Sequence, residues 1–135
     1  SPKHPLAGEH DIDPARLSEE VFLARESGSG TRIVMEHFFG DRGIGMPRLQ
    51  EMSSNENIKQ AVIANMGLAV ISRHTLSLEL DAGRLVELDV QGMPEMRSWR
   101  VVCLRGKALN GIGLKFWEFV ESRGPGFMKE LFSNV

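Results

Sequence analysis

Two short polar stretches each follow an apolar run, and their residue types could bind an anion. The first is "SGSGTR" at 27–32, after "EVFLAR" at 20–25, and the second is "SSN" at 53–55, after "RLQEM" at 48–52. Small residues let a ligand approach the backbone, while hydroxyls and free amides at a helix start attract negative charge. We predict that the stretches bind a carboxylate or phosphate, although Ser and Asn also favour helix starts simply as caps.

Nucleotide-binding loops are not supported by residues 28–34. A P-loop ends in G-K-[ST], whereas Arg32 follows the glycines here without a Ser or Thr after it. The dinucleotide fingerprint G-x-G-x-x-G also fails, because no third glycine follows Gly28 and Gly30 at the required spacing. The first stretch is therefore predicted to bind an anion without a nucleotide fingerprint.

Candidates for catalysis and metal binding are few. The 4 histidines and the single cysteine show no H-x-x-x-H or C-x-x-C spacing. His74, in "SRHT" near a predicted strand end, is the histidine best placed to meet a ligand. Cys103 lies inside "VVCL" and is predicted to be a buried structural thiol. We predict no catalytic residue, no metal and no cofactor.

The composition argues against a DNA-binding module and against a membrane-spanning segment. The chain has 135 residues, and 16 Lys and Arg against 18 Asp and Glu give a net charge of −2. A module that neutralises DNA phosphates is usually basic, so any DNA contact is expected from elsewhere. A single cysteine fits a reducing compartment, and no apolar run approaches the roughly 20 residues of a membrane span. We predict a cytoplasmic protein, or a chain from which an export signal was removed.

Strand and helix patterns alternate three times, which predicts an α/β domain with a mostly parallel sheet. The predicted strands are 20–25, 48–52 and 68–72, and the predicted helices are 30–43, 53–64 and 73–83. We also predict a strand with one wet face at 84–90, a strand buried on both sides at 98–105, an amphipathic helix at 109–122 and a last short helix after Pro125.

Three details complete this prediction. Residues 1–19 are expected to be an extended lead-in. Ser53 and Glu56 are expected to form a capping box at the start of the second helix. The predicted inward positions are Ile33, Val34 and Phe38 in the first helix, Ile58, Ala61, Val62 and Met66 in the second, Val86, Leu88 and Val90 in the wet-faced strand, and Ile112, Phe116, Phe119 and Val120 in the amphipathic helix.

The order of these pieces resembles the effector-binding domain of LysR-type transcriptional regulators. The resemblance rests on "HPLA" (4–7), "FLARESGSGTR" (22–32), "EMSSNENIKQAVIANMGLAVIS" (51–72), "GRLVELDV" (83–90), "WRVVCL" (99–104) and the last helix. Residues 51–75 are most similar to the CbbR-type regulators of Calvin-cycle carbon-fixation operons. One departure is Asn65, at a turn where the family usually has glycine; Asn tolerates the left-handed backbone best among other residues.

The resemblance implies a periplasmic-binding-protein-like (type 2) regulatory domain, here a partial one. Residues 1–98 would form effector-binding subdomain II, and residues 99–135 the hinge strand and the C-terminal return segment of subdomain I. It implies no enzyme activity. The effector-binding positions that it implies are Ser29, Thr31, Arg32, Ser54 and Asn55.

The resemblance also implies the partners. They are a small anionic metabolite, phosphorylated or carboxylated, a homodimer or homotetramer of the full-length protein, and DNA bound through an N-terminal helix-turn-helix absent from this chain; no membrane is implied. With half of the domain absent, the Ile112, Phe116 and Phe119 face is expected to be an exposed apolar patch. Two alternatives stay open: a lobe of a solute-binding protein for an anionic ligand, and a lobe of an enzyme acting on an anionic substrate.

Overall fold

The computed structural model describes residues 1–98, 100–106 and 108–131. The chain divides into two compact units, Ser1–Glu95 and Met96–Val135. The first unit contains the strands β1 (Val21–Ala24) and β2 (Arg48–Glu51) and the helices α1 (Gly30–Gly40), α2 (Asn55–Ile63) and α3 (Ser77–Asp81). It also has 3-10 helices at Pro14–Glu19 and Arg73–Thr75, and the second unit contains one helix, α4 (Gly111–Leu131).

The pairing around β1 is parallel on both sides. β2 runs along one side, in register from Val21 opposite Arg48 to Ala24 opposite Glu51. On the other side, the Leu23 amide donates to the Leu68 carbonyl at 2.8 Å, and the Leu68 amide donates to the Val21 carbonyl at 2.9 Å. The first two predicted strands are therefore confirmed, and β1 lies between two parallel neighbours.

The predicted strands 68–72 and 84–90 are each reduced to a single parallel bridge. Leu68 pairs with Phe22, and Val90 pairs with Ile12. In the first segment, Leu68 alone makes the backbone hydrogen bonds to β1, through its amide and its carbonyl. In the second segment Leu85 is buried, Leu88 is half-buried and Val86 is 40% exposed, so the predicted alternation holds only at its end.

Two hydrophobic clusters occupy the two faces of β1, because successive side chains of a strand point to opposite faces. Phe22 and Ala24 pack in the cluster that includes α1, and Leu23 packs in the cluster that includes α2. The α1 contribution is Met35, Phe38 and Phe39, and the α2 contribution is Ile58, Ala61 and Val62. Both faces of β1 are thus covered by a helix, as predicted for a buried strand.

Three of the sequence predictions for the first unit are corrected in detail. In α1 the buried face is Met35, Phe38 and Phe39, while Ile33 and Val34 are only half-buried. The two neighbouring phenylalanines decide this, since each ring packs edge-on at 5.4–5.6 Å against an aromatic neighbour. Residues 1–19 are not an extended lead-in: they contain the 3-10 helix Pro14–Glu19 and bury core residues, namely Leu6, Ile12 and Leu17. The predicted helix 73–83 is broken at Leu76, which is buried in the core.

The cap of α2 lies one residue later than predicted. Ser54, and not Ser53, is the N-cap, and its hydroxyl accepts from the Asn57 amide at 3.1 Å. Glu56 does not complete a capping box, because its carboxylate pairs with Lys59 at 2.8 Å and accepts from Gln60 at 2.9 Å. The helix begins at Asn55 and ends at Ile63, so Met66 lies beyond its end and is 49% exposed.

In the second unit the predicted buried strand is wrong. Within residues 96–98 and 100–106 the structure contains no strand, and Val102 and Leu104 are 83% and 75% exposed. Cys103, predicted to be buried, is exposed. No neighbouring strand among the described residues offers this segment a ladder. Trp99, part of the same prediction, lies outside the described residues.

The two predicted C-terminal helices form the single helix α4, which continues through Pro125. Proline has a helical φ, so a helix can continue through it, although Pro125 cannot donate a backbone hydrogen bond and its ring crowds the carbonyl of Glu121. Three of the four side chains predicted to point inward are exposed, Ile112 by 89%, Phe116 by 57% and Phe119 by 42%, while Val120 is half-buried. The prediction that they form an exposed patch is confirmed. A helix with the length and apolar character of a membrane span is absent from the described part of the chain.

The turn between α2 and the Leu68 bridge brings two backbones close together. Asn65 adopts the left-handed conformation (φ 61°), so the departure from glycine at this position is accommodated as predicted. At Gly67, a Cβ atom would lie 2.5 Å from the Val21 carbonyl oxygen. That carbonyl accepts the Leu68 amide, so Gly67 lies where β1 meets the Leu68 segment, its second neighbour.

We predict that Gly67→Ala destabilises the domain by on the order of 1–3 kcal/mol, because the added methyl forces the Leu68 segment away from β1. Gly45→Ala is the matched control, since its Cβ would meet open space. Urea denaturation of both variants checks this. Equal unfolding midpoints for the two variants would contradict the close approach.

Lys59 links α2 to α3. Its ammonium lies 2.8 Å from Glu79 of α3 and 2.8 Å from Glu56 of α2, and the Lys59 and Glu79 side chains are each only 14% exposed. The hydrogen bonds from Lys59 lower the pKa of both carboxyls, and the same bonds raise the pKa of Lys59. This contact between the helices is therefore strongest when all three groups are charged.

The stability contributed by Lys59 should depend on pH. A carboxyl whose folded pKa is depressed contributes above its ordinary value of 4.5, and this contribution disappears as the pH falls through the lower folded value. Lys59→Met is therefore expected to reduce the free energy of unfolding more at pH 7 than at pH 3. Urea titrations at both pH values measure the difference. Lys115→Met, at a pair where Lys115 is 83% exposed, is the control; a pH-independent loss in Lys59→Met would instead assign the effect to packing of its stem.

Candidate functional site

The predicted anion-binding stretches lie at one edge of the sheet. β1 and β2 end in register, Ala24 opposite Glu51, and the Met52 amide donates to the Ala24 carbonyl at 2.8 Å. Parallel strands bring their carboxyl ends to the same edge, where ligands of open α/β sheets usually bind. Because α1 and α2 follow these two strands, both helices begin at this edge.

Ser29 and Thr31 lie together at the start of α1. Their hydroxyl oxygens are 3.1 Å apart. Ser29 occupies the N-cap position, yet its side chain makes no capping hydrogen bond within the described residues. The Ile33 amide donates to the Ser29 carbonyl at 2.9 Å and closes the first turn, so the amides of residues 30–32 have no intrahelical acceptor. Capping therefore does not explain Ser29, and a ligand could use its hydroxyl and these amides.

Ser54 and Asn55 are engaged differently at the start of α2. The Ser54 hydroxyl caps the helix, so the capping explanation holds for this side chain. The Asn55 side-chain oxygen accepts from the Arg25 guanidinium, Nη1, at 3.3 Å. Arg25 follows β1 directly, so this bond connects the loop after β1 to the first residue of α2.

Arg32 is committed along its own helix. Its Nε donates to a Glu36 carboxylate oxygen at 2.6 Å, and the Arg32 side chain is 16% exposed. Of the five predicted residues, the structure thus pairs Ser29 with Thr31, assigns Ser54 to a cap, joins Asn55 to Arg25 and pairs Arg32 with Glu36.

The sequence analysis missed the pair Arg25 and Glu26. Arg25 Nε and Nη2 donate to the two Glu26 carboxylate oxygens at 2.7 and 2.8 Å, which is bidentate geometry. The hydrogen bond from Arg25, followed by one from the backbone, lowers the pKa of the Glu26 carboxyl. The available signal was position alone: "RE" stands directly between a buried strand and the glycine-serine turn.

An open depression of about 600 Å³ lies at this edge and is lined by Glu26, Glu51, Met52, Ser53 and Asn57. None of the five predicted residues is in that lining. Among the described residues no group of three or more His, Cys, Asp or Glu could hold a metal ion. The chemistry available at the edge is hydrogen bonding by hydroxyls, free amides and one guanidinium, beside carboxylates.

This chain matches known proteins over nearly its full length. The family model of the LysR substrate-binding domain matches residues 1–125. A RuBisCO operon transcriptional regulator of Allochromatium vinosum is 52% identical over 121 residues, covering 90% of this chain and 40% of that protein. The HTH-type transcriptional regulator CbbR of Rhodospirillum rubrum is 59% identical over 93 residues, covering 69% of this chain and 31% of that protein.

A solved structure shares the fold. The regulatory domain of CcmR from Synechocystis PCC6803, in complex with 2-PG, matches with a TM-score of 0.80 and 39% identity, covering 88% of this chain and 57% of that chain. This match supports the periplasmic-binding-protein-like architecture.

The relatives are regulators and not enzymes, as predicted, and neither alternative finds support among them. The chain spans 31–40% of the length of these two regulators. It belongs to the family of LysR substrate-binding domains.

Proposed function

We propose that this chain senses a small anionic metabolite, phosphorylated or carboxylated, for a LysR-type regulator of carbon-fixation genes. The observation that carries the proposal is the shared sheet edge, where α1 and α2 both begin and where the bond between Arg25 and Asn55 joins the loop after β1 to the start of α2. Helix starts with free amides attract anions. The names of the relatives support the carbon-fixation role, and the 2-PG complex of CcmR supports an anionic ligand.

We propose distinct contributions for the five predicted effector residues. Ser29 and Thr31 offer hydroxyls beside the open amides of α1 and form the main contact. Asn55 contributes through its side chain, and Ser54 through its backbone, since its hydroxyl caps α2. Arg32 contributes its charge from the second position after Gly30, and a direct bond would require it to leave Glu36.

We further propose that residues 1–98 form subdomain II and residues 99–135 the hinge strand and return segment of subdomain I. The boundary between the two compact units, after Glu95, supports this division. The remainder of subdomain I would come from the rest of the regulator and supply the second wall of the cleft. An anion bound to both walls would favour one hinge angle and so shift the conformation of the regulator on DNA.

DNA binding is assigned to a helix-turn-helix outside this chain, in a homodimer or homotetramer of the full-length protein. The net charge of −2 fits a domain that does not itself neutralise DNA phosphates. The printed name of the Rhodospirillum rubrum relative, an HTH-type regulator, supports the assignment. A cytoplasmic location of the regulator is likewise a prediction.

Calorimetric titration of the full-length regulator with ribulose bisphosphate, phosphoenolpyruvate and phosphoglycolate tests the sensing function. Saturable binding of at least one of them is expected. Thr31→Ala is expected to weaken that binding roughly tenfold or more, because a hydrogen bond to a charged group is lost. Ser18→Ala removes another hydroxyl, one that bonds the Ala15 carbonyl before β1, and is expected to bind as the wild type does.

Each contrary result removes a different part of the proposal. Binding that Thr31→Ala leaves unchanged would exclude the start of α1 as the effector site. No heat with any of the three metabolites would exclude these effectors and remove the support for the carbon-fixation role, while the family membership would stand.

A further inference from the structure

We propose that Glu26 is a built-in competitor of the effector: its carboxylate occupies the Arg25 guanidinium, and the incoming anion takes its place. Arg25 then becomes an effector-binding residue in addition to the five predicted from sequence. The inference rests on the proposed function, because it concerns the same sheet edge and the same class of ligand.

The contact between the two side chains has the geometry of a ligand complex. Arg25 Nε and Nη2 each donate to a different oxygen of Glu26, at 2.7 and 2.8 Å. This paired arrangement is the one by which a guanidinium binds a carboxylate or a phosphate group. Glu26 therefore occupies the Nε/Nη2 edge of the Arg25 guanidinium, an edge through which an anionic metabolite could bind in the same way.

Arg25 is held in position from its opposite side. Its Nη1 donates to Asn55 at the start of α2, and its backbone continues directly from the buried strand β1. The Arg25 side chain is 27% exposed and that of Glu26 is 48% exposed. The guanidinium is thus anchored to the start of α2, while its partner carboxylate is half exposed and lines the depression.

Exchange of the two anions requires little rearrangement. Glu26 is the neighbour of Arg25 in sequence, so rotation of its side chain alone releases the guanidinium. An exposed ion pair of this kind is worth little in water, and a ligand held also by hydroxyls and amides can displace it. Hydrogen bonding to Arg25 lowers the pKa of Glu26, so the competing carboxylate stays charged at neutral pH. The ion pair therefore raises the effector concentration that is needed to occupy the site. It does not block the site, because the effector can displace Glu26.

Calorimetry on the full-length regulator with the three metabolites named above tests the competition. Glu26→Gln keeps the shape of the side chain but removes its charge, and it is expected to lower Kd roughly three- to tenfold. Glu51→Gln removes a charge from the same depression without contacting Arg25 and so measures simple charge repulsion. The competition requires that Glu26→Gln increase the affinity for the metabolite more than Glu51→Gln does.

The double variant separates competition from repulsion. Arg25→Met is expected to weaken binding roughly tenfold or more. In the Arg25→Met background, Glu26→Gln should improve binding no more than Glu51→Gln does, because there is no guanidinium left to release. As a direct readout, the Nε–H resonance of Arg25 should shift when ligand is added to the wild type. Unfolding midpoints of all variants verify that the fold is retained.

The contrary outcomes are distinct from failure of the proposed function. Equal increases in affinity in Glu26→Gln and Glu51→Gln would overturn the competition. An Arg25→Met variant that binds as tightly as the wild type would also overturn it. Both results leave the sensing function intact. Absence of binding in the wild type and in Glu26→Gln with all three metabolites would overturn both proposals together.

Discussion

The first unit depends on the burial of β1 on both of its faces and the pairing of its backbone on both of its edges. A buried strand cannot leave backbone amides or carbonyls without partners, so its length is limited by the neighbours available. Here the Val21 carbonyl and the Leu23 amide bond Leu68, while the Ala24 carbonyl bonds Met52 on the side of β2. The chain leaves this buried environment at Arg25, which is the first residue after β1 and carries a charge. The position of the polar edge is therefore a consequence of how β1 is buried.

The cations around this edge are already paired, and this shapes what the edge can sense. Arg25 binds Glu26, and Arg32 binds Glu36. Because each guanidinium already binds a carboxylate, an anion that takes the same position must displace that carboxylate. Unpaired cations would give higher affinity for any anion, and paired ones favour a ligand that also matches the hydroxyls and amides. Discrimination of this kind suits a sensor better than tight binding does.

Sequence reasoning was most reliable where one strong local signal acted alone. The apolar run at 20–25 followed by glycine and serine predicted β1 and α1, and the alternation of strands and helices predicted a mostly parallel sheet. It failed where the outcome depended on competition between partners: Glu56 could cap α2 or bind Lys59, and Lys59 prevailed. It also failed at 98–105, since a strand exists only beside another strand, which no local pattern specifies. Arg25 and Glu26 were missed because a charged pair after a strand has no distinctive spacing.

The stability of the fold and the proposed sensing function depend on different atoms of the same segment. β1 contributes to the fold through Phe22, Leu23 and Ala24 and through its backbone hydrogen bonds, all of which end before Arg25. The groups to which we assign effector binding begin at Arg25 and are side chains, half-buried or exposed, together with amides that the helices do not use. Because few contacts are shared, the charges at the edge can change with little effect on the core. Effector preference can then differ between related regulators while the strand beneath the site stays the same.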